Sequence, residues 1–239
     1  LAKLLLDLEK VLRKLGIFAP VVVVKGDGTL MSAAMAKDRP VETILSGPAA
    51  SVAGARHLTG KKNALVVDMG GTTTDTAALE NGTVRICETG SNVGGHKTHV
   101  KALEIRTAGL GGDSFILWEK DSFTIGPRRV APIAWMGAMY PGWEQALDFF
   151  DRHLDRYAVS TQNMQIIVQI GSPENLTLTP QEDKMLTLLK SRPYSIDELV
   201  TRTGVLFERS LKLGRLEENF IIQRCGLTLT DLLHVTSRF

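Results

Sequence analysis

Two aspartates, two glycines and three threonines fall within one short stretch, Asp68-Met69-Gly70-Gly71-Thr72-Thr73-Thr74-Asp75. Gly70 and Gly71 lack a Cβ, so their backbone can adopt unusual dihedrals and bring N–H groups close to an anion. Thr72 and Thr73, with Thr74, add hydroxyl donors. Asp68 and Asp75 would repel a bare phosphate. Their place beside such a turn therefore points to a hard cation such as Mg2+, or to an oriented water. An ordinary glycine-rich hairpin turn with capping aspartates has the same composition, and residue type alone leaves both readings open.

A second cluster, Thr107-Ala108-Gly109-Leu110-Gly111-Gly112-Asp113-Ser114, lies between two strand-like stretches. Gly109, Gly111 and Gly112 suit close backbone approach to a ligand, or a mobile surface hairpin. His96 and His99 bracket the region, with Gly94-Gly95-His96 read as a turn. Lone histidines without a matching carboxylate set are more often structural than metal ligands. Glu42, His57, His96 and Asp113 are catalytic candidates by residue type only.

The elements that must position these residues read as α/β. An apolar run from Ala64 to Val67 enters the first cluster and Thr76 to Leu79 leaves it, so the pattern is strand, tight turn, strand. Asn81-Gly82 is a hairpin signal after which Thr83 to Cys87 is expected to pair back. Thr98 to Arg106 alternates as a further strand. Upstream, Leu1, Leu4, Leu5, Leu8, Leu12 and Leu15 lie at helical spacing, ended by Gly16. Val21 to Val24 is expected to be a strand buried on both faces, followed by a turn over Lys25 to Thr29. A short helix over Leu30 to Lys37 has Ser32 as its cap. A helix over Ser46 to Leu58 takes Pro48 at its first position, with Ser46 or Gly47 as N-cap.

Past Asp121 the texture changes. Trp143 to Tyr157 has helical spacing, Ile166 to Ile170 reads as a strand, and Gly171-Ser172-Pro173 is a boundary candidate. Three short helices follow, starting at Thr179, Ser195 and Val205, then a strand or hairpin over Glu217 to Arg224. That is the texture of a winged helix-turn-helix. Charge argues against DNA reading, because the third helix carries only Arg209, Lys212 and Arg215 against Glu208 and Glu217. The expected segments are 1–126, 127–172 and 173–239.

Whole-chain composition narrows the class further. With 28 basic and 26 acidic residues the net charge is +2, which excludes an extended polyanion-binding surface. The longest purely aliphatic run, Val21 to Val24, is far short of the ~20 residues of a membrane span, and the charges within Leu1 to Leu15 exclude a signal-peptide core. Cys87 and Cys225 lie far apart without a C-x-x-C partner, as expected of reduced thiols in a cytoplasmic protein.

The segments Lys25 to Ser32, Pro40 to Ala50, Asp68 to Asp75, Thr107 to Ser114 and Leu227 to Val235 together resemble the hydantoinase A / 5-oxoprolinase / acetone carboxylase family, in the family's order. The resemblance implies an actin-like (ribonuclease H-like) mixed sheet with flanking helices, joined to a mostly helical, winged-helix-like C-terminal segment. It implies that ATP and Mg2+ are bound. Gly70, Gly71, Thr72 and Thr73 would contact the phosphates, Asp68 and Asp75 would hold the metal through water, and Gly109, Gly111 and Gly112 would lie near the nucleotide. The Gly47-Pro48 helix would pack behind the sheet. The implied chemistry is ATP-dependent hydrolysis of a small cyclic amide such as a hydantoin or 5-oxoproline, by phosphorylation of the amide oxygen and attack of water.

Three departures accompany the resemblance. The family's first phosphate hairpin is not in this sequence, Asp113 stands where many relatives have a third consecutive glycine, and Arg128 to Gly142 replaces a glycine- and proline-rich stretch. The chain is therefore expected to be one wall of an ATP site, completed by a missing N-terminal half or a partner subunit. The competing expectation is a non-catalytic actin-like fragment that binds nucleotide or a partner, with a regulatory helical tail.

Overall fold

The computed structural model describes residues 1–90, 92–93, 96–158, 160–174 and 176–238. The expected turn at Gly94-Gly95 lies outside the described residues. The architecture is mixed α/β, with several small sheets and short helices. Two compact units divide the chain: Leu1–Met69 with Thr74–Ala108, and Gly70–Thr73 with Gly109–Phe239.

In the first unit the helix Ala2–Lys14 buries Leu5 in a small cluster with Met31 and Ala36, against which Val23 packs. The strand Val22–Val24 pairs antiparallel with Leu30–Ser32. Contrary to expectation it is not buried on both faces, since Val22 is 57% exposed; an isolated two-stranded ribbon has only one face to cover. Ser32 does cap the next helix, Ala33–Asp38, its hydroxyl accepting from the Met35 N–H at 3.2 Å. The helix Ser46–Thr59 begins at Ser46, with Leu45 in the left-handed region before it, so neither Ser46 nor Gly47 is the cap. Its Ala49 and Val52 pack on Ala77, Leu79 and Leu103. The small side chains allow that close approach.

The strands flanking the first glycine cluster form as expected. Ala64–Met69 pairs antiparallel with Thr74–Leu79, which pairs in turn with Arg106–Ala108. Asn81 and Gly82 both take positive φ, as the hairpin turn requires. The return strand departs from expectation: only Glu80 bridges Thr83, and Ile86–Cys87 pairs instead with Ala102–Leu103. The expected strand from Thr98 to Arg106 is accordingly broken into Ala102–Leu103 and Arg106–Ala108.

The second unit is built on a hairpin, Ser114–Glu119 with Ser122–Arg129, and a four-stranded sheet. That sheet runs Ala131–Pro132, Ile222–Gly226, Ile166–Gln169, Tyr194–Ser195, so it draws strands from both sides of Pro173. One core cluster gathers Met136, Phe150 and Ile166. Another joins Met185, Ile196, Leu199 and Leu216 with Ile167 and Ile222.

The expected helix over Trp143 to Tyr157 forms as two pieces, Glu144–Asp151 and Leu154–Tyr157. The third tail helix is likewise divided, into a 3-10 turn Glu208–Leu211 and a helix Leu213–Glu218, with Lys212 at positive φ between them. Thr179 closes a capping box with Glu182 at the start of the helix Pro180–Leu189. Glu182 also accepts two hydrogen bonds from Arg215, at 2.8 and 3.0 Å. Burial works to raise this carboxyl, but the Thr179 donors and Arg215 outweigh it and hold Glu182 below the usual carboxylate range.

Candidate functional site

In the first unit the ladder register sets Asp68 directly opposite Asp75, and Asp75 opposite Thr107. Directly opposed residues share one face of a sheet, with Cβ atoms about 5 Å apart. The Thr107 hydroxyl donates to Asp75 Oδ1 at 2.5 Å. Among the described residues neither Asp68 nor Asp75 enters an ion pair. Two like charges held opposite each other repel, and a hard cation relieves that repulsion. The donor chemistry therefore fits a Mg2+ ion bound directly or through water. No group of three or more His, Cys, Asp or Glu side chains at metal spacing occurs among the described residues.

The turn Gly70–Thr73 belongs to the second unit. The Gly70 N–H donates to the Thr73 carbonyl at 3.0 Å, while the Gly70 and Gly71 carbonyls accept from the N–H groups of Gly112 and Asp113, each at 2.9 Å. The two glycine clusters of the sequence thus lie against each other. Glycine is required at this contact: a Cβ on Gly111 would stand 2.5 Å from the Gly71 carbonyl and the Thr72 nitrogen, and one on Gly71 would stand 2.5 Å from Asp113 Oδ2. With the carbonyls of the turn directed at the second loop, the N–H groups of Gly71 and Thr72 have no acceptor among the described residues. Free backbone donors at the tip of a glycine turn are what an anion needs.

The second loop has supports of its own. Ser114 Oγ accepts from the Gly111 N–H at 2.9 Å, and Asp113 pairs with Arg129 at 2.8 Å. The Gly112 carbonyl accepts from both the backbone N–H and the hydroxyl of Thr230, each at 3.1 Å. Thr230 lies in the first turn of the helix Leu229–Val235, whose start is fixed by a capping box between Thr228 and Asp231. Asp231 also accepts from the Ala134 N–H at 2.7 Å. The late segment Leu227 to Val235 thereby braces the glycine loop. Sequence reading places that segment in the family pattern but gives no signal that Thr230 touches Gly112, and it does not single out Arg129.

Elsewhere in the first unit, Lys25 bridges Asp27 and Glu42 at 3.3 and 3.0 Å. Glu42, then Asp27, raises the Lys25 ammonium above its ordinary value, and Lys25 in turn holds Glu42 below the usual carboxylate range. Burial works to raise Asp27, but hydrogen bonds from Thr29 and Lys25 leave it lowered. This pairing assigns Glu42 to holding two segments together. His57, in the last turn of its helix, and His96 are exposed and meet no partner carboxylate among the described residues.

The chain is mixed α/β, with two directly opposed aspartates and a glycine-threonine turn between them in the sequence. The sequence profile of the hydantoinase/oxoprolinase family matches residues 2–134, more than half of the chain, and the protein belongs to that family. A Schizosaccharomyces pombe protein, "Uncharacterized protein C11D3.14c", is 34% identical over 92 residues, covering 36% of this chain and 7% of that protein. Among solved structures, a nucleotide-free acetone carboxylase, an enzyme of ATP-dependent acetone carboxylation, is 26% identical with a TM-score of 0.46. That match covers 52% of this chain and 18% of the acetone carboxylase chain.

Proposed function

We propose that this chain supplies the phosphate- and metal-holding wall of a Mg-ATP site in an ATP-dependent cyclic amide hydrolase of the hydantoinase/oxoprolinase type. The observation that carries the reading is the directly opposed pair Asp68 and Asp75 of the first unit, which meets no ion-pair partner among the described residues; in the second unit the Gly71 and Thr72 N–H groups have no acceptor among the described residues. Family membership supports the same reading. In it, residues 1–126 form the actin-like core that carries the hairpin.

Each group then has one task. Gly71 and Thr72 donate backbone N–H groups to phosphate oxygens, and the Thr72 and Thr73 hydroxyls add donors. Asp68 and Asp75 hold the metal, with Thr107 fixing the Asp75 carboxylate. Bound Mg2+ would neutralise phosphate charge during phosphoryl transfer. Gly109, Gly111 and Gly112 keep the turn in shape and lie beside the nucleotide. The small cyclic amide and the rest of the cleft belong to parts of the full protein beyond this wall.

Titration of Mn2+ and ADP into the chain, followed by the loss of free-Mn2+ EPR signal, tests the metal half of this assignment. The expected result is nucleotide-dependent Mn2+ binding that is weakened roughly tenfold or more by Asp68→Ala or Asp75→Ala. Undiminished binding by both variants would remove these residues from the metal site.

A further inference from the structure

A cavity of about 130 Å3 lies within the second unit, beside the hairpin Ser114–Glu119/Ser122–Arg129 and the helix Glu144–Asp151. Its floor is made by Phe115, Ile116 and Phe150, all buried. Its rim carries Trp118 and Phe123, whose rings stand 4.7 Å apart and tilted by 56°. Thr161 contributes the lone polar side chain among the lining residues, and its Oγ1 already accepts from the Trp118 N–H at 2.8 Å. The Trp118 indole N–H is likewise spent, on the Ala158 carbonyl at 3.3 Å.

The lining therefore offers no charged group, and its one hydroxyl, that of Thr161, already accepts a hydrogen bond. An apolar cavity of such a size stays dry, and it accepts a molecule the size of benzene. A simple packing fault would be sealed by its neighbours; here an aromatic ring at the rim, Phe123, remains 70% exposed. We propose that this cavity is a binding site for a neutral, apolar ligand about the size of a single six-membered ring. The Trp118 and Phe123 rings, already packed against each other, would offer that ligand one aromatic wall. A charged ring of the same size is rejected, because its charge would lose water and find no charged partner in the lining. The proposal is independent of the phosphate turn, and the site needs neither nucleotide nor metal.

Toluene and benzoate titrations, followed by the NMR signal of the Met164 methyl group at the cavity wall, test it. Toluene should shift that signal saturably, with a midpoint on the order of millimolar, while benzoate leaves it unmoved. Leu147→Phe fills the cavity from the helix and Leu227→Phe fills it from the rim. Either variant that keeps the wild-type circular dichroism should bind toluene roughly tenfold more weakly or not at all. The absence of a saturable toluene shift, equal binding of benzoate, or undiminished binding in folded variants would overturn the proposal.

Discussion

Gly111 has no positive φ to justify it, yet it is among the least replaceable residues in the second unit. Its hydrogen position faces backbone atoms of Gly71 and Thr72 that cannot move aside as a flexible side chain would. Gly111→Ala should therefore cost about 1–3 kcal/mol, read as a lowered urea midpoint, and should push the turn out of shape. An unchanged midpoint would mean that the two glycine clusters do not depend on this approach.

Cys225 carries a different residue-scale consequence. Burial, with a smaller contribution from Asp231, pushes its thiol up to about 12 from an ordinary 9.0. The native state then keeps the proton while the unfolded chain gives it up, so stability contributed by Cys225 is complete below pH 9 and is lost as pH rises toward 12. Chemical denaturation across that interval should show a decline in unfolding free energy that is shallower in Cys225→Ala. A decline of equal slope in both proteins would contradict the assignment.

At the scale of elements, local chemistry was legible and partnership was not. The caps at Ser32, Thr179 and Ser195 follow from residues within a turn of each other, and the structure uses all three. The hairpin around Asp68 and Asp75 is also local, with apolar strands meeting a glycine turn. Strand pairing between distant segments has no such signature. Thr83 to Cys87 looks like the return arm of an Asn-Gly hairpin, but Ile86–Cys87 finds its partner in Ala102–Leu103. The mutual contact of the two glycine clusters was hidden for the same reason: each cluster shows that backbone must come close to something, and neither shows to what. Gly54 tests the local side of this account. It sits mid-helix with nothing within 4 Å of a built Cβ, so Gly54→Ala should stabilise the chain by about 0.5–1 kcal/mol. A lower melting temperature for that variant would reveal a contact that the helix must keep open.

For the whole molecule, charge and topology bear on what the chain binds. Four tail arginines are engaged internally: Arg215 with Glu182, Arg192 and Arg202 with Glu198, and Arg224 with Glu208 and Glu217. A basic residue already paired in this way offers little to a phosphate backbone. No helix among the described residues is long and apolar enough to cross a membrane. The chain spans 7% of the length of its curated relative and 18% of the acetone carboxylase chain.

Calorimetric titration of ATP into the chain, with and without Mg2+, for wild type, Asp68→Ala and Thr72→Ala is the decisive measurement for the proposed Mg-ATP wall. The wild type should bind in a Mg2+-dependent way, with Asp68→Ala abolishing the metal dependence and Thr72→Ala weakening the affinity. Equal binding by all three proteins, or binding indifferent to Mg2+, would contradict it.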